Sequence, residues 1–230
     1  MNIAIIPARG GSKRIKQKNI RNFLGREILS YSIKTVLDSE SFDTVVVSTD
    51  CDEIANVAEK YGAVVAGRRP LELSDDYTGS SEVIKYELNK LCDMGWDIGI
   101  VAEVYATSPL MKTNFIDEAV RVLENSRQGI FTFGAVPFEY PVQRGFYINK
   151  NTCRALEPEA FNKRSQDLNT VYHDAGQFYI ARNDTWLSAD FRFDENSIPI
   201  VLPRTHVIDI DDEHDWILAE NMARAIWRRL

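Results

Sequence analysis

Short apolar runs alternate with segments of helical periodicity through the first half of the chain. The runs NIAIIPA, TVVVSTD, AVVAG and WDIGIVAEVY are typical of strands that are covered on both faces. Between them lie ILSYSIKTVL, DEIANVAEKYG and residues 80–91, which predict helices, and Gly62 is placed to end the second of these. Strands that alternate with helices predict an α/β fold with a Rossmann-like, doubly wound and mostly parallel sheet.

The second half of the chain is less regular. Prolines interrupt residues 137–170, which lack the periodicity of a crossover, and we interpret this segment as a lid or a dimerisation excursion. GQFYIA then predicts a strand, HVIDID an alternating strand, and DEHDWILAENMARAIWRRL a terminal helix with basic residues in its last turn. Because there is no internal repeat or flexible linker, we expect residues 1–230 to form a single domain.

Composition narrows the classes of partner. The net charge of −7 argues against broad nucleic-acid binding, and no stretch approaches the roughly 18 apolar residues of a membrane span. The three cysteines show neither metal-ligand spacing nor an even disulfide framework, and the N-terminus lacks the pattern of a signal peptide. We therefore expect a cytoplasmic protein with reduced thiols and with no nucleic-acid or membrane partner.

A basic, glycine-containing loop follows the first predicted strand. Ligands of doubly wound sheets bind beyond the carboxyl ends of the strands, which brings residues 8–19, 49–50, 68–81 and 105–111 to one edge. The stretch IIPARGGSKRIKQKN there contains two adjacent glycines and five cationic side chains. Glycines let backbone N–H groups approach an anion, and cations complete a cradle for phosphates. Neither G-x-x-x-x-G-K-[ST] nor G-x-G-x-x-G is present.

Two aspartates near the C-terminus predict a cation site. In VIDID the side chains alternate, so Asp209 and Asp211 fall on one face, with Cα atoms roughly 6.6–7 Å apart. Two converging carboxylates repel each other unless a cation joins them, and Mg²⁺, or Mn²⁺ in its place, suits carboxylates combined with substrate phosphates and water. The alternative is that Asp211 or Asp212 caps the last helix, which suits Asp212 better.

Several stretches resemble one family of enzymes. They are IIPARGGSK with the following KN, VVVSTD, RRPLELSDDYTGSS, YATSPL and IDIDDEHD, and together they resemble the cytidylyltransferases that activate nonulosonic acids, the group of the CMP-sialic acid synthetases. RSQDLNTVYHDAGQFYIA resembles the pseudaminic acid branch of this family, where YHDAG replaces the RPNG of the sialate enzymes. The resemblance covers most of the chain. It implies that CTP and a nine-carbon acidic sugar, with pseudaminic acid favoured, give the CMP-sugar and pyrophosphate.

The resemblance also implies roles for single residues. Lys18 and Arg9 would serve catalysis with the metal pair, because Lys18 can stabilise charge on the α-phosphate and the leaving pyrophosphate. Arg68 competes with Arg69 for a place near the cytosine or ribose, and Ser80 and Ser81 have helix capping as an alternative. The implied nucleotide-binding residues are Ala8, Arg9, Gly10, Gly11, Ser12, Lys13, Lys18, Asn19, Arg69, Gly79 and Ser81.

The sugar side is implied to involve Tyr105, Arg164, Gln166, His173 and Asp174. An arginine such as Arg164 is the natural bidentate partner of the sugar carboxylate. Tyr105 stands where the sialate enzymes have a glutamine, and Met111 stands where they have an arginine. These departures favour a sugar that is more apolar than sialic acid. The general base stays open between Ser81, a metal-bound water and another carboxylate.

Other functions and the assembly complete the expectations. A CMP-sialic acid synthetase or a 3-deoxy-manno-octulosonate cytidylyltransferase is the alternative enzyme, and a catalytically inactive nucleotide-binding module is the non-enzyme alternative. The presence of Lys18, Asp209 and Asp211 argues against the inactive module. The aromatic residues of the excursion predict an interface, and the resemblance implies one there, so we expect a homodimer. They are Phe138, Tyr140, Phe146, Tyr147 and Phe161.

Overall fold

A six-stranded sheet forms the centre of the computed structural model, which describes residues 1–227. The strands are β1 (Ile3–Pro7), β2 (Asn22–Phe23), β3 (Arg26–Glu27), β4 (Thr44–Ser48), β5 (Ile100–Val104), β6 (Phe131–Pro137), β7 (Phe146–Asn149), β8 (Thr152–Ala155), β9 (Tyr172–Arg182) and β10 (Ser197–Val201). The helices are α1 (Leu29–Leu37), α2 (Asp52–Lys60), α3 (Ser80–Asp93), α4 (Thr113–Glu124), α5 (Asn183–Ser188) and α6 (Glu213–Trp227).

The strand order of the central sheet is β10-β6-β9-β5-β1-β4. β9 is antiparallel to its neighbours β5 and β6, and the other pairs are parallel, so the predicted mostly parallel α/β sheet is confirmed. β1 alternates between the two faces: Ala4 and Ile6 pack with α1, α2 and α4, while Ile3 and Ile5 pack with α3 and α5. Both faces of the sheet are therefore covered, as the continuous apolar runs predict.

Two predicted strands are wrong. AVVAG forms a single bridge, between Val46 and Val64, because its neighbour β4 is already the last full strand at that edge. HVIDID pairs with no strand among residues 1–227. Its alternation persists without a sheet, because Ile210 is buried against α6 and Ile208 packs beside it, while Asp209 is exposed.

The terminal helix and the excursion position two further parts of the chain. α6 packs through Trp216 onto Ile15 and Phe23, which fixes the loop after β1 against the last segment of the fold. Arg228 and Arg229, predicted in the last helical turn, lie outside the described residues. Residues 137–170 project an antiparallel hairpin of β7 and β8. Within residues 1–227, no helix combines the length and hydropathy needed to cross a membrane.

Candidate active site

A cavity of about 410 Å³ opens where the predicted sheet edge lies. The basic loop, the segment before α3, the end of β5 and Asp211 meet there. Its lining residues are Pro7, Arg9, Ser12, Lys13, Arg14, Ile15, Lys18, Asn19, Arg69, Leu73, Asp75, Asp76, Thr78, Ser80, Val83, Glu103, Tyr105, Ala106, Thr107 and Asp211. Ala8, Gly10 and Gly11 belong to the same loop but are not among the lining residues.

Close packing holds the basic loop in shape. A Cβ on Gly10 would lie 2.9 Å from the Cβ of Cys51, so a larger residue would displace the loop. The Gly10 amide donates to Asp50 at 2.8 Å, and the buried Asn19 side chain donates to the Arg9 carbonyl oxygen at 3.0 Å. These contacts give Asn19 a positioning role in addition to its place in the cavity wall.

The loop also joins the segment that carries the two aspartates. Lys18 Nζ donates to the Ile210 carbonyl oxygen at 2.6 Å and lies 3.9 Å from the carboxylate of Asp211. Arg14 pairs with the same carboxylate at 2.7 Å. Burial lowers the pKa of Lys18, and Asp211 and Asp209 partly offset this effect. Lys18, a candidate for catalysis, therefore lies beside Asp211, a candidate metal ligand.

The two aspartates fit a partial cation site. Desolvation and the charge of Asp211 raise the pKa of Asp209, although its side chain reaches solvent, and Lys18 partly opposes this rise. Within residues 1–227 there is no group of three or more acidic, histidine or cysteine side chains arranged to hold a metal ion. Two carboxylates suit a Mg²⁺ ion that takes its remaining ligands from substrate phosphates and water, so the residues fit that ion.

The segment of Asp75 and Asp76 contacts the cations of the basic loop. Asp76 pairs with Arg9 at 2.7 Å and also accepts a hydrogen bond from Lys13. Arg9 donates as well to the carbonyl oxygen of Asp75 at 2.5 Å. The hydrogen bonds from Lys13 and Arg9 lower the pKa of the Asp76 carboxyl. The cations expected to hold a triphosphate are therefore already neutralised.

The segment before α3 resolves two open alternatives. Arg69 is 4% exposed and lines the cavity, with Nε donating to Ser74 at 3.0 Å. Arg68 pairs instead with Asp52 at 2.6 Å, outside the cavity lining. Gly79 is the N-cap of α3, so neither predicted serine caps it, and Ser80 rather than Ser81 lines the cavity.

The candidate sugar-binding residues do not all lie in the same cavity. Tyr105 lines the cavity, whereas Asp174 accepts hydrogen bonds from Tyr179 and from the Gly176 amide behind that wall. Met111 is buried in the core, so it affects packing and not the cavity surface.

The remaining candidates belong to the excursion and its base. Arg164 is exposed and pairs with Asp167 at 2.8 Å, while Gln166 and His173 line two other surface cavities. None of these three residues lines the main cavity of the same chain.

One residue of the cavity wall was missed by the sequence reasoning. Glu103, in β5, is 1% exposed, and its Oε1 atom has no hydrogen-bond partner in residues 1–227. Burial raises the pKa of this carboxyl to about 7. A hydrogen bond with Ser80 lowers this pKa in part, and the charge of Asp174 raises it further. A charged residue inside the apolar run IVAEV was the available signal.

Comparison with known proteins identifies relatives over most of the chain. A pseudaminic acid cytidylyltransferase of Campylobacter jejuni subsp. jejuni serotype O:2 is 44% identical over 216 residues, which cover 93% of this chain and 92% of that protein. An N-acylneuraminate cytidylyltransferase of Escherichia coli O18:K1:H7 is 30% identical, over 94% of this chain and 51% of its own length.

Solved structures show the same fold. CMP:2-keto-3-deoxy-manno-octonic acid synthetase complexed with CTP superposes with a TM-score of 0.68 and 13% identity, covering 100% of both chains. The family profile described as cytidylyltransferase matches residues 3–196. The profile spans most of the chain, and the loop and the cavity lie largely within it, so this protein belongs to the cytidylyltransferase family.

Proposed function

We propose that this protein transfers the cytidylyl group of CTP to pseudaminic acid and releases pyrophosphate. The observation that carries the proposal is the meeting of a cationic loop and a two-carboxylate segment at one cavity, joined by the bond from Lys18 to Ile210. The 44% identity to a relative named for this activity supports the choice of sugar. The chain's own residues supply positioning and charge stabilisation, which dominate this class of chemistry.

The roles follow from the wall of the cavity. Arg9, Ser12 and Lys13 are placed to hold the triphosphate once Asp76 is displaced, and Lys18 stabilises the negative charge that develops as the sugar's anomeric hydroxyl attacks the α-phosphorus. Arg69, anchored on the β4 side, serves the nucleoside. When bound by Asp209 and Asp211, Mg²⁺ would neutralise phosphate charge.

Assembly and location complete the proposal. The excursion exposes its aromatic side chains, for example Tyr147 at 65% and Phe146 at 58%, which supports a homodimer formed through residues 137–170. In such a dimer the excursion can bring Arg164, Gln166 and His173 towards the cavity of the second copy. That the enzyme acts in the cytoplasm remains a prediction based on its CTP substrate and expected reduced thiols.

The wall around Tyr105 supports pseudaminic over sialic acid. Pseudaminic acid ends in a methyl group and carries two acylamino substituents, whereas sialic acid carries a glycerol-like tail. A hydroxyl of sialic acid that is buried without a partner costs about 1–3 kcal/mol, or about tenfold and more in preference.

The test is a pyrophosphate-release assay with CTP and a panel of acidic sugars. We expect turnover with pseudaminic acid and a kcat/KM at least about tenfold lower for sialic acid. Equal values, or a preference for sialic acid, would favour a CMP-sialic acid synthetase. Activity only with 3-deoxy-manno-octulosonate would favour that alternative, and no turnover of any sugar would favour a binding module.

A further inference from the structure

Glu103 is a buried carboxyl group that the reaction described above does not use. It occupies β5 opposite Ile5 of β1 and Tyr179 of β9, and it faces the cavity beside Ser80. Its Oε1 atom is inaccessible to water and makes no hydrogen bond within residues 1–227. Buried polar atoms nearly always have a partner, and a partner that is absent from the protein can be a bound substrate.

The surroundings of Glu103 define the chemistry of that partner. Tyr105 lies one residue beyond the end of β5 and packs with the same cluster as Tyr179, with its ring 5.9 Å from that of Tyr179. The Tyr179 hydroxyl donates to Asp174, so a second carboxylate stands behind the wall. The charge of Asp174 disfavours phosphate and carboxylate groups nearby, and the oxygens of both acidic side chains can accept hydrogen bonds from neutral donors.

The position in the sheet separates the two substrates. The cationic loop follows β1, and Arg69 is tied to the β4 side of the sheet, where its backbone amide donates to Thr49 at 2.8 Å. Glu103 and its acidic neighbour Asp174 occupy β5 and β9, on the other side of β1. The nucleotide therefore leaves the β5–β9 side of the cavity to the acceptor sugar.

We propose that Glu103 Oε1 accepts a hydrogen bond from an acylamino N–H group of the acceptor sugar. The proposal rests on the proposed function and adds a specificity-determining residue to it. An amide N–H points in a fixed direction and is left unpaired if no acceptor meets it, which matches an Oε1 atom that no group in residues 1–227 engages, whereas a hydroxyl can rotate towards another acceptor. Glu103 thus distinguishes acylamino acids from acids that carry hydroxyl groups at the same position.

The experiment compares two sugars in three variants. Glu103→Leu and Glu103→Met remove the acceptor at similar volume, and Glu103→Gln keeps a carbonyl oxygen. For the two apolar variants we expect kcat/KM with the diacylamino acid to fall about ten- to hundredfold, while an analogue with hydroxyl in place of one acylamino group loses about threefold or less. The KM for CTP should stay within about twofold. Glu103→Gln should retain most of the wild-type preference.

Control measurements separate this proposal from the proposed function. Glu82→Leu removes a carboxylate from the first turn of α3, which also carries Ser80, but Glu82 does not line the cavity. This variant should leave kcat/KM for both sugars unchanged. If the wild-type enzyme releases no pyrophosphate with pseudaminic acid, the proposed function fails. If the wild-type enzyme is active and the apolar variants lose both sugars equally, or raise only the KM for CTP, Glu103 does not read the acylamino group.

Discussion

The Nζ atom of Lys18 donates a hydrogen bond to the Ile210 carbonyl oxygen at 2.6 Å, across 192 residues of sequence. The bond places the Lys18 cation between the basic loop and the segment that carries Asp209 and Asp211. The arrangement is supported from below by Ile15, which is 1% exposed and packs with Ile210 and α6. Loop and carboxylates therefore form one unit, although the sequence separates them by nearly the whole chain.

Lys18→Met should remove both the anchor and the stabilising charge. We expect kcat with CTP and pseudaminic acid to fall about 10²–10³-fold. This is the usual loss when an enzyme loses one preorganised donor to the negative charge that develops in the transition state. Lys16→Met is the matched control, because Lys16 is exposed and does not line the cavity, and it should retain wild-type kcat. Steady-state kinetics test this, and an equal loss in both variants would contradict it.

Turnover should require Mg²⁺ or Mn²⁺, and Asp209→Asn or Asp211→Asn should nearly abolish it without unfolding the chain. Asp212→Asn is the control, because Asp212 instead accepts the His214 amide at 2.8 Å at the start of α6. This change should lower stability by about 1 kcal/mol or less and spare activity. Full activity of the Asp209→Asn and Asp211→Asn variants in the presence of a chelator would be incompatible with a metal pair.

Ile148→Glu should convert the protein to a monomer. Ile148 is 76% exposed on β7, and a carboxylate buried in an interface would be left without a partner. Met94→Glu, at an exposed site of 58% after α3, is the control and should leave the assembly unchanged. Light scattering at micromolar concentration checks the prediction, and a monomeric wild-type protein would contradict it.

The pKa of Glu103 predicts a pH-dependent contribution to stability. Its rise from 4.5 to about 7 means that the folded protein holds a proton there between these pH values when the unfolded chain does not. The free energy of unfolding should therefore fall by about 3 kcal/mol as pH rises through this window, relative to Glu103→Gln. Denaturant titrations of both proteins at pH 4.5 and 8 measure the difference, and parallel pH profiles would contradict it.

The sheet was predictable because its buried strands leave apolar runs and its helices leave a regular period. The antiparallel direction of β9 leaves no such mark, since GQFYIA would suit either direction. The strand prediction for HVIDID was wrong for a related reason. Ile208 and Ile210 need a buried neighbour, and α6 supplies it in place of a paired strand.

The basic loop and the aspartate pair could be identified from local sequence, whereas the placement of single residues in the cavity wall could not. Arg69 and Arg68 are adjacent in sequence, and only the fold turns one into the cavity and the other onto Asp52. The sequence places Glu103 in an apolar strand. It does not show that one carboxyl oxygen is left without a partner when β5 and α3 pack together. The strand β7 could not be predicted from a buried apolar pattern, because its residues are exposed in the single chain.

Asp76 pairs with Arg9 and Lys13, so the protein places a carboxylate of its own in the basic loop. Binding of a polyphosphate is therefore an exchange of anions, in which the incoming ligand competes with a tethered carboxylate. A ligand with a single weak charge gains little from that exchange, whereas a chain of three phosphates can replace the carboxylate and engage the rest of the loop as well. On the proposed function, the loop would therefore favour ligands that carry several negative charges.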